Sequence, residues 1–206
     1  MLEAVVWPHH EGPTLVNGWR YEEPVSPEEI DDATADVAES APFARGSHRW
    51  IEWRLGRHAA RQAAARAGVL APVVEVADSG APLIHGGQVG VSIAHTRGVV
   101  LAAVAPGEIG IDVERVDRDV SRLVRGLHPG EVDVAISVGV VAALVAKESV
   151  AKATGLGLGG SLARWPLIDA ELSGETPRVS VAAPDGRILT TRLFPWQEFI
   201  VGITQT

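Results

Sequence analysis

Apolar and polar residues recur along this chain with two different periods, and the switches between them outline its elements. Residues 48–67, HRWIEWRLGRHAARQAAARA, are rich in alanine and arginine, which lose little freedom in a helix, and Gly68 follows them. The run predicts a helix over 48–67, stopped by a residue that readily takes the left-handed conformation. Ahead of it, in a Pro-rich and acidic stretch, Ser26-Pro27-Glu28-Glu29 reads as a helix start, with an N-cap followed by proline. Four short apolar runs come next: VVEVA (73–77), VGVSIAH (89–95), VVLAAVA (99–105) and IGIDVERV (109–116). Turn residues separate them, Ser-Gly-Ala-Pro at 79–82 and Pro106-Gly107, so all four are expected to be strands. The segment VSRLVRGLHPGEVD should be helical in part, and 132–154 reads as one long apolar helix ended by Gly155, Gly157, Gly159 and Gly160. The last third alternates again, in WPLIDAEL, RVSVAAP, RILTTRLF and EFIVGITQ, with a hairpin signal at Asp185-Gly186.

The order of elements repeats. Each half runs from a Gly-terminated helix into a hairpin-like strand set that closes on an apolar strand, VVLAAVA in one and EFIVGIT in the other. The expected fold is α+β; the echo is too weak in identity to count as a repeat, but two similar α+β halves, 1–105 and 106–206, packed together would bring residues from their junction into one cleft.

Composition narrows the classes. The chain has 206 residues, 46% apolar and 21% charged, which suits a folded domain with a real core. The net charge of −8 argues against general nucleic-acid binding, which needs a basic face. No apolar run reaches the roughly 18 residues of a membrane span, and MLEAVVWPHHEGP lacks the basic start and apolar centre of a secretory signal. Cysteine is absent, so there are no disulfides and no thiolate sites, and a reducing cytoplasm fits.

Lysine usage points to the chemistry. Of 18 basic residues only Lys147 and Lys152 are lysines, and they bracket a glutamate in VAKESVAKATGLGL. A chain that elsewhere uses arginine has kept two ammonium groups at one spot, where a compact charge suits phosphate or proton chemistry. A surface pair between Glu148 and Lys152, worth about 0.2–0.5 kcal/mol, is the plainer account. Asp112 and Glu114 lie two apart on a strand and share a face, with Ile109, Ile111 and Val113 on the other. They could hold a hard cation such as Mg²⁺, or form the solvated face of an edge strand. His95, at a strand end before Thr96 and Arg97, could hold a phosphate or cap the strand.

Taken in order, Gly80-Ala81-Pro82, VSIAHTRG (91–98), IGIDVE (109–114) and KESVAK (147–152) resemble the 4'-phosphopantetheinyl transferases, in particular the longer surfactin-type group. The resemblance covers residues 57 to about 160. It implies two pseudosymmetric halves with the active site at their junction, and transfer of the 4'-phosphopantetheine arm of coenzyme A to a serine of an acyl or peptidyl carrier protein. Mg²⁺ would assist and 3',5'-ADP would leave. By that resemblance Asp112, Glu114 and Glu131 are metal ligands. Glu148 is a metal-associated carboxylate and the general base, and Lys152 neutralises the pyrophosphate. Arg57 and His95, supported by Thr96, hold the 3'-phosphate of coenzyme A, and Lys147 belongs with these cofactor-binding residues. The partner would be an apo carrier protein of polyketide, nonribosomal peptide or fatty acid synthesis, met by a cytoplasmic monomer. Arg115, Arg118, Arg122 and Arg125 form a basic patch that could dock it. The chain departs from the family pattern at Ala81, Ala94 and Leu144. A catalytically degraded member that only binds carrier proteins is the alternative.

Overall fold

The structure, a computed structural model, describes residues 1–5, 7, 12–86, 89–121 and 123–206. The chain divides into two compact units, Met1–Pro106 and Gly107–Thr206.

The first unit contains β1 (Leu2–Val5), β2 (Leu15–Tyr21), α1 (Pro27–Ala33), α2 (His48–Arg66), β3 (Val74–Val76), β4 (Pro82–Ile84), β5 (Val89–Thr96) and β6 (Val99–Pro106). Its antiparallel sheet has the order β1-β2-β6-β5, and β3 and β4 form a separate small ribbon. The sequence signals at the helix starts are met. Ser26 accepts from the Glu29 N–H while the Glu29 carboxylate takes the Ser26 N–H, a reciprocal cap for α1. Ser47 caps α2 through the Trp50 N–H, and Gly68 follows the helix at φ 88°. Helix α2 lies on the sheet by its alanines: Ala59, Ala60, Ala63 and Ala64 pack with Ala102 and Val104. Small side chains let helix and strands approach closely, and the dispersion contacts follow from that proximity.

The second unit contains β7 (Ile109–Arg115), short 3₁₀ turns at Val124–Gly126 and Pro129–Glu131, α3 (Val132–Val138), α4 (Val140–Ala153), a third 3₁₀ turn at Leu162–Arg164, and strands β8 (Leu167–Glu171), β9 (Arg178–Ala182), β10 (Ile188–Trp196) and β11 (Phe199–Gln205). The strands form one antiparallel sheet in the order β7-β11-β10-β9-β8. Helix α4 crosses β7, β11 and β10. Within each unit a strand leads to a long helix and then to a hairpin whose last strand pairs back with the first. The order is β2-β6-β5 in one unit and β7-β11-β10 in the other.

Two expectations change. The single helix over 132–154 is two helices meeting at 110°, because Gly139 sits at φ 88°, ψ 135°, outside any helical conformation. The acidic N-terminal stretch also supplies β1 and β2, and β2 is an inner strand of its sheet. Among the described residues no single helix is long and apolar enough to cross a membrane.

Candidate functional site

In the second unit the period-2 alternation of β7 sets the geometry. Gly110, Asp112 and Glu114 share the face that meets α4. Gly110 is what lets the helix come so near. A Cβ there would run into the Ser149 carbonyl oxygen and lie 2.6 Å from the Ala153 backbone nitrogen. The Ser149 hydroxyl then fastens α4 to the sheet through Thr191 at 3.0 Å and Thr204 at 2.9 Å.

This approach places Lys152 over Asp112. The Lys152 ammonium donates to Asp112 Oδ1 at 2.8 Å and to the Ile111 carbonyl at 3.0 Å. Asp112 is only 6% exposed. Burial pushes its carboxyl above the usual aspartate range, Lys152 offsets part of that, and the charge of Glu114 adds to it. Glu148 precedes Lys152 by one helical turn and is partly buried. Burial raises its carboxyl to about 7, with Asp112 and Glu114 acting in the same direction and Lys152 and Arg118 against it. Glu114 accepts the Arg115 N–H at 2.9 Å and forms an ion pair with Arg118. The structure therefore brings together Asp112, Glu114, Glu148 and Lys152. It also adds Arg118, whose contact with Glu114 the sequence did not suggest.

Glu131 and Lys147 stand apart from that group. Glu131 is 1% exposed, and its two oxygens accept from the Lys147 ammonium at 2.5 Å, the His128 N–H at 2.6 Å and the Leu167 N–H at 2.6 Å. Lys147 has no exposed surface and also donates to the Leu162 carbonyl at 3.0 Å. Burial pulls its ammonium below the usual lysine range, and Glu131 opposes this. The pair ties α4 to the turn before α3 and to the start of β8. Of the suggested basic patch, Arg115 is engaged by Asp117 at 2.9 Å and Arg118 by Glu114, while Arg122 lies outside the described residues.

Among the described residues no three His, Asp or Glu side chains stand close enough to hold a metal ion as they are. The donor chemistry nevertheless suits a hard cation. Asp112, Glu114 and Glu148 offer only oxygen donors. Burial first, and the neighbouring carboxylates after it, hold the carboxyls of Asp112 and Glu148 high, and the Lys152 ammonium offsets part of this.

The first unit carries a cleft of about 240 Å³ between α2, the β3–β4 ribbon and the end of β5. Arg57, on α2, is 8% exposed, and its guanidinium carbon lies over the Trp53 ring, 3.8 Å from the ring centroid. Among the described residues its Nε has no hydrogen-bond partner, and burial pulls its basicity down while Glu39 opposes. Arg49 lies over Phe43 at 5.1 Å and lines the same cleft. His95 enters from β5, its Nδ1 3.1 Å from Glu52 Oε1. Thr96 is next along the strand, belongs to the opposite face and does not line the cleft. Two guanidinium groups and an imidazole converging on one cavity can bind an anion such as a phosphate. Arg57 and His95 are brought together as the sequence suggested. Arg49, eight residues before Arg57 and so on the same helix face, was missed.

Residues 43–105 match the family model described as the 4'-phosphopantetheinyl transferase N-terminal domain. The matched residues contain the whole lining of this cleft, which runs from Phe43 to His95. It supports the 4'-phosphopantetheinyl transferase superfamily and, at the level of the family, a transferase of phosphopantetheinyl groups. No curated protein matches the chain.

Proposed function

We propose that this protein transfers the 4'-phosphopantetheine arm of coenzyme A to a serine hydroxyl of an acyl or peptidyl carrier protein, as a monomeric, cytoplasmic enzyme of the surfactin type. The observation that carries the reading is the Asp112–Lys152–Glu148 group, a carboxyl raised to about 7 beside an ammonium held on a buried aspartate. Transfer of this kind needs positioning and charge neutralisation more than covalent help from the protein. Glu148, ionised above about 7, takes the proton of the serine hydroxyl as its oxygen bonds to the β-phosphorus of coenzyme A. The bond from that phosphorus to the bridging oxygen breaks, and 3',5'-ADP leaves with the electron pair. Lys152 neutralises charge developing on the pyrophosphate. Asp112, Glu114 and Glu148 would hold Mg²⁺, which supplies Lewis-acid neutralisation of the same oxygens when bound. Glu131, whose oxygens already serve three donors, is left to the fold. Arg57 and His95 bind the coenzyme A phosphates, with Arg49 beside them.

The test is incubation with coenzyme A, Mg²⁺ and a panel of apo carrier proteins, read by mass spectrometry. A phosphopantetheine mass increase on a carrier serine, lost in Glu148→Gln, is the expected result. Turnover retained by Glu148→Gln would remove it as the base. Coenzyme A binding without transfer to any carrier would favour a carrier-binding protein.

A further inference from the structure

Glu52 is an anomaly in the cleft of the first unit. Two arginines and a histidine line that cavity, yet a carboxylate lines it with them, and a carboxylate repels phosphate. Glu52 is 8% exposed. Its Oε1 lies 2.8 Å from His48 Nε2 and 3.1 Å from His95 Nδ1. His48 stands one turn earlier on α2, and its other ring nitrogen reaches Glu23 at 2.7 Å. A buried oxygen thus bridges an imidazole from the helix and an imidazole from the end of β5. Burial would raise the Glu52 carboxyl, but the contacts with His95 and His48 outweigh it and hold the group below the usual range. Glu52 is therefore an anion whose charge is answered by the two rings. The remaining charged and titratable groups around it are Arg49 and Arg57 in the cleft and, on the other side, Glu23, Arg97 and the buried Tyr21 hydroxyl.

We propose that Glu52 is a positioning residue of the anion cleft: it accepts the Nδ1–H of His95, fixes the tilt of that ring, and leaves the Nε2–H of the protonated ring as the donor offered to a phosphate of the co-substrate. The inference rests on the reading of His95 as a ligand of the coenzyme A 3'-phosphate. It assigns to a carboxylate a favourable part in binding an anion, through the ring it orients.

Three readouts test it. Calorimetry with Glu52→Ala should show coenzyme A binding weakened on the order of tenfold, as when a charged hydrogen-bond partner is lost. Binding of 3'-dephospho-coenzyme A should be unchanged. Glu52→Gln, which keeps an acceptor oxygen, should restore most of the loss. In a His95→Gln background, Glu52→Ala should cost nothing further. Unchanged or tighter coenzyme A binding in Glu52→Ala would overturn the proposal, because removal of a mere repulsive charge has that effect. Equal loss for both nucleotides would overturn it too, as a general structural defect. Ring ¹⁵N shifts of His95 supply the third readout. With coenzyme A bound, protons on both ring nitrogens are expected in the wild type, and exchange with neutral tautomers in Glu52→Ala; identical spectra refute the clamp. If His95→Gln alone leaves coenzyme A affinity intact, the phosphate reading fails, and these spectra still decide whether Glu52 orients the ring.

Discussion

Lys147 and Glu131, both buried, form an ion pair of 2.5 Å across the 110° bend between α3 and α4. The bend is what makes the pair possible. The two residues are 16 apart in sequence, and one continuous helix would hold them about 24 Å from each other. Gly139 therefore decides whether Lys147 has a counterion. Lys147→Met should destabilise the second unit by about 3–5 kcal/mol, because it strands a buried carboxylate. Adding Glu131→Gln to Lys147→Met should return more than half of that loss. Urea unfolding of the three proteins checks both statements, and near-equal stability of the single and double variants would contradict the pairing account.

Glu148 makes stability depend on pH in a particular direction. In the unfolded chain its carboxyl ionises near the ordinary 4.5, and in the folded protein near about 7. The proton is therefore held more tightly by the native state. The contribution to stability is complete below pH 4.5 and is lost as pH rises through about 7. At about 1.4 kcal/mol per pH unit the loss is on the order of 3–4 kcal/mol. With chelator present, Glu148→Gln should be more stable than wild type at pH 8 by that order and no more stable at pH 4. Thermal unfolding at the two values measures it.

Gly110→Ala should act through backbone rather than chemistry. The added methyl meets the Ser149 carbonyl and the Ala153 nitrogen, which belong to α4 and cannot rotate away. A cost of about 1–3 kcal/mol or more is expected, together with displacement of Lys152 from Asp112. Denaturant midpoints and the rate of carrier modification should fall together.

Arg57→Lys tests the guanidinium over Trp53. An ammonium has no planar face to set against the ring and no fork to present to a phosphate. Coenzyme A affinity should drop roughly tenfold, with a stability change of about 1 kcal/mol from the lost cation–π contact. Calorimetric titration beside a thermal melt separates the two effects.

Local signals in the sequence were legible where they were decided locally. The start of α1 at Ser26-Pro27 and the end of α2 at Gly68 are set by backbone groups within a few residues. The alternation in IGIDVER correctly placed Asp112 and Glu114 on one face. What lay over that face was not legible: whether it met solvent or a helix depends on α4, about 40 residues away, and on Gly110 allowing contact. Strand β2 was hidden because Asn17-Gly18 resembles turn chemistry. Gly18 is there for another reason, since a Cβ would sit 2.5 Å from the Val100 carbonyl of β6. The break at Gly139 was hidden by apolar residues on both sides, which kept the helical pattern running through it. Lys147 could not be told from Lys152 by type. Their separation into a buried structural cation and one standing on Asp112 follows from the helix face each occupies.

The burial of Lys147 also changes what amine chemistry can do to this protein. Its side chain has no exposed surface, whereas Lys152 keeps 33% of its own. With two lysines in the chain, an amine-selective reagent meets a single accessible side-chain amine besides the α-amino group. That amine is the one resting on Asp112. Once the α-amino group is blocked, ordinary coupling to a dye, a bead or a biotin becomes in effect site-directed modification at the candidate centre. Immobilisation through amines would bury the site, and one added mass on Lys152 would count how many molecules have it open.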